Sequence, residues 1–335
     1  MSDLEKDPAE VVGTGDCEGP ALEMLEARDV VLGRTTKVRR LLPNKNRRMV
    51  GAWCFVDHYG PEDLTQRVDS YDVPGERGMQ VPPHPHTSLQ TVSWLFEGEI
   101  EHRDSVGSHA FVRPGELNIM TAGNGIAHSE VSTPDAPPRL HGAQLWVALP
   151  DDVRTTTPPA FNAYADLPRL ELDGAQVTVM IGTVAGVTSP APAYTPLVGA
   201  DVTIEPGRTV SLPLTASNEY AVLVVDGSLT VGELSPGFGE MTYLGAGRDA
   251  IELVASGNGV RFLLLGGEPF EEELVMWWNF IGRSHEEIVA ARNAWQAAID
   301  AAGNDRFPMV PGYDGDPLPA PPLPVTTLKP RPRAR

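Results

Sequence analysis

Short runs of Val, Ile, Leu, Thr and aromatic residues recur along the chain, each closed by turn-forming residues. QTVSWLFEGEIEHRD, LHGAQLWVALP, QVTVMIGTV, ADVTIEPGRTVSLPL, YAVLVVDGSLTVG and VRFLLLGG are the clearest. Runs this brief, bounded by turn formers, predict an antiparallel sandwich or barrel rather than βαβ units. The acid–glycine pairs Glu97-Gly98 and Asp226-Gly227 predict hairpin turns. The stretches around them, SLQTVSWLFEGEIEH and SNEYAVLVVDGSLTVG, share an apolar strand, an acid–glycine turn and a second strand, and RPGELNIMTAG is loosely echoed by GEMTYLGAG downstream. An internal duplication is therefore expected, with its boundary in the turn-rich segment from Pro150 to Asn162.

One stretch carries a helical period. In RSHEEIVAARNAWQAAIDAAGN, Ser284 and Glu287 make a capping box, and Ile288, Ala291, Trp295 and Ile299 fall near one face. Gly303 is placed to end the helix. The residues beyond, FPMVPGYDGDPLPAPPLPVTTLKPRPRAR, read as an extended arm, wrapped on the body or loose, whose PxxP-like pieces could contact a protein partner. The expected layout is a flexible acidic N-terminus over residues 1–22, one β-domain over 23–152, a second over 153–282, and a helix with a proline-rich arm over 283–335.

A formal charge of -19 argues against direct nucleic-acid binding, which needs Lys and Arg to displace phosphate counterions. The one clearly basic segment is LKPRPRAR at the end of the chain. No apolar run is long enough to span a bilayer, and MSDLEKDPAEVVGTGDCEGP lacks the apolar centre of a secretory signal. Cys17 and Cys54 are too few for a disulfide framework or a thiolate zinc site, and they suit a reducing compartment. The expectation is a cytoplasmic protein with neither membrane nor nucleic-acid partner, whose metal, if it holds one, is bound by nitrogen and oxygen.

The eight histidines leave a gap between His141 and His285, so a histidine site can be built in the first half of the chain and not in the second. In VPPHPHTSLQ, His84 and His86 point the same way if the segment is extended. Pro85 between them has no N–H and confines the segment to an edge strand, a strand start or a bulge. In TAGNGIAHSEV, His128 and Glu130 repeat the i, i+2 spacing after a glycine turn. Two such pairs meeting across a small barrel would give three imidazoles and one carboxylate, a donor set suited to iron, manganese, nickel or copper. A lone HxH is more often surface or core histidine; HxH together with HxE is a much stronger signal.

HPHTSLQTVSWLFEGEIEHRDSVG, RPGELNIMTAGNGIAHSE, QLWVALP and WWNFIGRSHEEI resemble the pirin family of bicupins, in the family's order, over about residues 25 to 310. The resemblance implies an all-β fold of two tandem cupin (jelly-roll-like) barrels, the second without metal. It also implies one divalent metal, usually Fe(II), with Mn, Ni, Cu or Zn as substitutes, on His84, His86, His128 and Glu130. Pirins often read H-P-H-R-G-F-E-T at the first motif, where this chain has Thr87, Ser88, Leu89 and Gln90. Neutral Gln90 is not expected to coordinate, and the altered motif leaves the substrate open. Some pirins cleave quercetin-type flavonols with dioxygen, which makes a polyphenol and dioxygen the implied substrates and Glu130 the base that takes the 3-hydroxyl proton. Others act without turnover, as iron-dependent regulatory partners of proteins, which is the alternative.

The remaining candidates have plainer readings. His102, where a hairpin returns, is expected to be exposed or to stabilise a turn, and His109 to lie on the surface. His141 is expected to be structural or to support a metal ligand from behind. Asp57 and His58 resemble a pirin segment but are not expected to bind metal, and His285, in the first helical turn, is read as structural. GNGIAH and LGAGRDA do not complete a dinucleotide fingerprint.

Overall fold

A computed structural model describes residues 20–32, 36–65 and 78–334. The acidic segment before residue 20, with Cys17, lies outside the described residues. Two β-units follow each other along the chain. In the first, a seven-stranded sheet runs in the order Ala160–Tyr164, Leu117–Thr121, Leu89–Glu97, Arg139–Ala148, Trp53–Asp63, Thr36–Leu42 and Arg28–Leu32. A four-stranded sheet accompanies it, in the order Gln80–His86, Ile126–Val131, Ile100–Asp104 and His109–Val112. The second unit is built on one nine-stranded sheet whose central strands are Glu219–Val231 and Ala250–Gly267. Both are cupin-like, as the pattern of short strands and the family resemblance imply.

The central strands are buried because both of their faces are covered. Leu89–Glu97 is buried along its length except for Glu97. A single core joins Trp53, Phe55, Val92, Trp94 and Leu145 of the first unit to Ile181, Leu223, Leu263 and Leu265 of the second. Indole N–H groups cross the seam: Trp53 donates to the Val198 carbonyl at 3.0 Å, and Trp94 to Asp201 Oδ2 at 2.9 Å. Two further strands complete the sheets at their edges. Leu22–Leu25 pairs with Met241–Leu244 of the second unit, and Ala160–Tyr164 pairs with Leu117–Thr121 of the first.

The two acid–glycine pairs are not hairpin turns. Leu89–Glu97 and Ile100–Asp104 lie in different sheets, and Gly98 is the corner between them. Asp226 and Gly227 lie inside one long strand whose register shifts on either side of them as it passes from the 260–262 region of its partner to 253–255. Both glycines have positive φ, 99° and 74°. A Cβ on either would fall within 2.6 Å of a backbone carbonyl, that of Arg139 or of Gly259. Acid–glycine sequences serve a hairpin or a strand corner equally, because both need left-handed backbone. Local sequence cannot separate them; here both copies use the corner.

The helix spans His285–Asp300, with Ser284 Oγ accepting from the Glu287 N–H. Ile288, Ala291, Trp295 and Ala298 form its buried face, while Ile299 is partly buried beside them. Gly303, at φ 109°, closes it by donating to the Ala298 carbonyl. The proline-rich arm is wrapped rather than loose. Phe307 is fully buried, the Leu318 N–H bonds the Pro83 carbonyl at 2.8 Å, and Arg331 and Leu274 exchange backbone hydrogen bonds.

Candidate metal centre

The four-stranded sheet of the first barrel carries the site on one face. Strand Gln80–His86 is at its edge, where Pro85 costs no ladder hydrogen bond. Its neighbour Ile126–Val131 places His128 directly opposite His84, and the register shifts between His128 and Glu130. On the other side, Ile100–Asp104 sets Asp104 opposite His128 and His102 opposite Glu130. Two-residue alternation therefore brings all six side chains to one surface.

One ring nitrogen from each of His84, His86 and His128 lies within 4.8 Å of the others, a grouping that could hold one metal ion. The three are 6%, 1% and 0% exposed. Burial pushes all three imidazoles below their ordinary pKa, His84 to about 4 and His86 and His128 well down, so they are neutral and able to ligate. Two tautomers are fixed by backbone carbonyls, which only accept. Nδ1 of His84 donates to Pro82 O at 2.9 Å, and Nδ1 of His86 to Asn279 O at 3.2 Å. Their Nε2 lone pairs are thereby left free, and His86 Nε2 lies 3.1 Å from His128 Nε2. Buried, neutral nitrogens gathered in this way fit a transition-metal cation, and the backbone carbonyls supply the orienting bonds that metal-binding histidines usually have.

Glu130 is beside this group rather than inside it. Its Oε2 is 3.9 Å from His128 Nε2, and its Oε1 accepts from Ser93 Oγ at 3.1 Å. Ser93 Oγ is also 2.9 Å from Gln144 Oε1. Burial raises the Glu130 carboxyl above the usual carboxylate range, against the lowering effect of His102, Ser93 and Gln144. Gln90 is absent from the metal group, with its amide nitrogen bonded to Thr121 Oγ1 at 3.0 Å.

His102 departs from expectation. It is 2% exposed, stacks on Phe161 at 4.2 Å, and reaches both Asp104 and His128. The signal was present, since His102 and Asp104 repeat the i, i+2 spacing of His128 and Glu130. The other histidines stand apart from the metal group. His109 is surface-exposed and bonded to Glu101, and His285 Nδ1 accepts from the Leu328 N–H of the arm. His58 and His141 face each other, Nε2 to Nε2 at 2.8 Å, packed against Phe96 and Phe238. Asp57 is taken up in a buried two-pronged pair with Arg40, at 2.8 and 2.7 Å.

The pirin family model matches residues 35–147, and the pirin C-terminal cupin domain model matches residues 199–299. A Pseudomonas aeruginosa protein named "Putative quercetin 2,3-dioxygenase PA1205" is 44% identical over 303 residues, covering 90% of this chain and 91% of its own. A pirin-like protein of Caulobacter vibrioides is 36% identical, over 82% of this chain and 92% of its own. The crystal structure of a quercetin 2,3-dioxygenase from Acinetobacter baumannii superposes with a TM-score of 0.83 at 39% identity, covering 91% of this chain and 96% of that one. With both halves matched by their own models and relatives aligned along nearly the whole length, this chain belongs to the pirin family.

Proposed function

We propose that this chain is a mononuclear non-haem metalloprotein, with Fe(II) on His84, His86, His128 and Glu130, that cleaves quercetin-type flavonols with dioxygen. The convergence of three neutral, buried imidazoles on one point carries the reading. The likeness to proteins named as quercetin dioxygenases supplies the substrate class. When bound, the metal would supply Lewis acidity toward a flavonol oxygen and redox contact with dioxygen, at positions that four protein ligands leave open. The chain's own contribution is proton transfer in a dry barrel. Burial lifts the Glu130 carboxyl toward the range where it can take a phenolic proton, and Ser93 holds its other oxygen in place. The reading includes a cytoplasmic setting, supported by a chain with two cysteines of which Cys54 is a buried free thiol. Among the described residues no helix is long and apolar enough to cross a membrane.

One observation favours a second reading. The three imidazoles are at most 6% exposed, so a flavonol reaches them only if covering segments move. A protein that signals its metal state to a protein partner through its surface needs no such movement. Oxygen uptake and carbon monoxide release by iron-loaded protein with quercetin decide between them. The enzymatic reading predicts both, and predicts that Glu130→Gln abolishes them; full turnover by that variant removes Glu130 as the base. Iron loading without turnover on any flavonol supports the partner reading.

A further inference from the structure

Resting on the metal reading above, we infer that Asp104 and His102 form a proton-orienting relay that fixes the tautomer of His128 and so aims its Nε2 lone pair at the metal position. The chain of contacts begins on the backbone. Asp104 Oδ1 accepts from the N–H groups of Val106 and Ser108, at 3.0 and 2.9 Å, which pins the carboxylate in its turn. Asp104 Oδ2 is 3.1 Å from His102 Nε2. With two backbone N–H donors on Oδ1 and His102 Nε2 at Oδ2, the carboxylate is placed as an acceptor on both oxygens.

His102 therefore donates from Nε2 to Asp104, which in the relay makes its Nδ1 the accepting atom. That atom is 3.4 Å from His128 Nδ1. Two lone pairs cannot face each other favourably, so His128 carries its proton on Nδ1, leaving Nε2 as the free donor atom beside His86 Nε2. His84 and His86 have their tautomers set by the carbonyls of Pro82 and Asn279; His128 has His102 in that place. Phe161 stacks on the His102 ring at 4.2 Å and an interplanar angle of 19°, which holds it in plane. Asp104, His102 and His128 are all buried, at 0%, 2% and 0%, so water does not compete for these bonds. His102 and Asp104 are positioning residues, acting on the metal through His128.

Asp104→Asn tests the relay, since the amide oxygen can keep the Val106 and Ser108 bonds while the amide nitrogen turns a donor toward His102 Nε2. His102 must then move its proton to Nδ1, against the Nδ1–H of His128. The expected result in Zn(II)-loaded protein labelled with isotopic nitrogen in histidine is His102 protonated on Nε2 and His128 on Nδ1. In Asp104→Asn the His102 proton should move to Nδ1, and Zn(II) should bind roughly 10- to 100-fold more weakly, the usual cost of losing such an orienting partner. A proton on His102 Nδ1 in the unaltered protein overturns the relay, and that measurement needs no variant to fold. Unchanged tautomer and affinity in Asp104→Asn overturn it as well. The Zn(II) titration of the unaltered chain is read first: no binding there refutes the metal reading itself, a separate result from a wrong tautomer.

Discussion

After Gly98 the first barrel continues with Ile100, His102 and Asp104 at alternate positions; after Gly227 the second continues with Leu229, Val231 and Glu233. The corner is the same and the first inward residue is aliphatic in both, yet the next is histidine in one and valine in the other. The contrast extends across each barrel. The sheet of the first gathers His84, His86, His102, Asp104, His128 and Glu130, whereas the second closes over Val210, Leu212, Leu229, Val231, Leu253 and Phe262. Burying polar groups costs free energy unless each finds a partner. The first barrel meets that requirement with backbone carbonyls, Ser93, Asp104 and, on our reading, a metal; the second lines its core with apolar side chains instead. One architecture thus serves as a reactive vessel and as a support.

Removing one ligand should have the largest effect. His86→Ala should abolish stoichiometric metal while leaving the second barrel folded, measured by elemental analysis and far-UV circular dichroism. Retention of a full metal complement would show that the ion is held elsewhere. The reciprocal change is Phe262→Ala in the second barrel, a side chain with no exposure. It should cost about 3–5 kcal/mol of stability, the range for truncating a buried aromatic, without changing metal content. A loss of metal matching the loss of stability would mean that the barrels do not divide their roles.

A smaller effect should appear at the seam. Burial, with His141 and Arg39 nearby, holds His58 down to about 3, and burial, with Arg261, Arg139 and Arg39 set against Asp226, holds His141 to about 4, from an ordinary value of 6.5. Folded values below the unfolded one mean that the unfolded chain binds protons first. Stability is therefore fully present above pH about 6.5 and is lost as the pH falls toward 4. Thermal midpoints of metal-free protein between pH about 7 and about 4 should fall, and less steeply in the double variant His58→Gln, His141→Gln. The slope should not vanish, because His84 is also held to about 4. An unchanged slope would show that the seam pair does not titrate on unfolding.

Much of this was legible in the sequence for local reasons. HxH and HxE announce themselves by two-residue alternation, Pro85 restricts its strand to an edge, and Ser284 with Glu287 marks the helix start. Ser88 stands where the family motif has glycine, and it takes φ 59°, the left-handed backbone which that glycine would favour. What stayed hidden depends on pairing between distant strands. His102 looked exposed because its own segment resembles a hairpin return; only the pairing of Ile100–Asp104 with Ile126–Val131 buries it against His128. The pairing of Leu22–Leu25 was equally invisible, since it completes a sheet whose other strands lie far along the chain.

The most direct test of the account is anomalous diffraction from crystals of iron-loaded protein. One peak per chain is predicted, within about 2.0–2.2 Å of Nε2 of His84, His86 and His128 and of a Glu130 oxygen, the usual range for such bonds. A peak in the second barrel, or none among these four side chains, would contradict it.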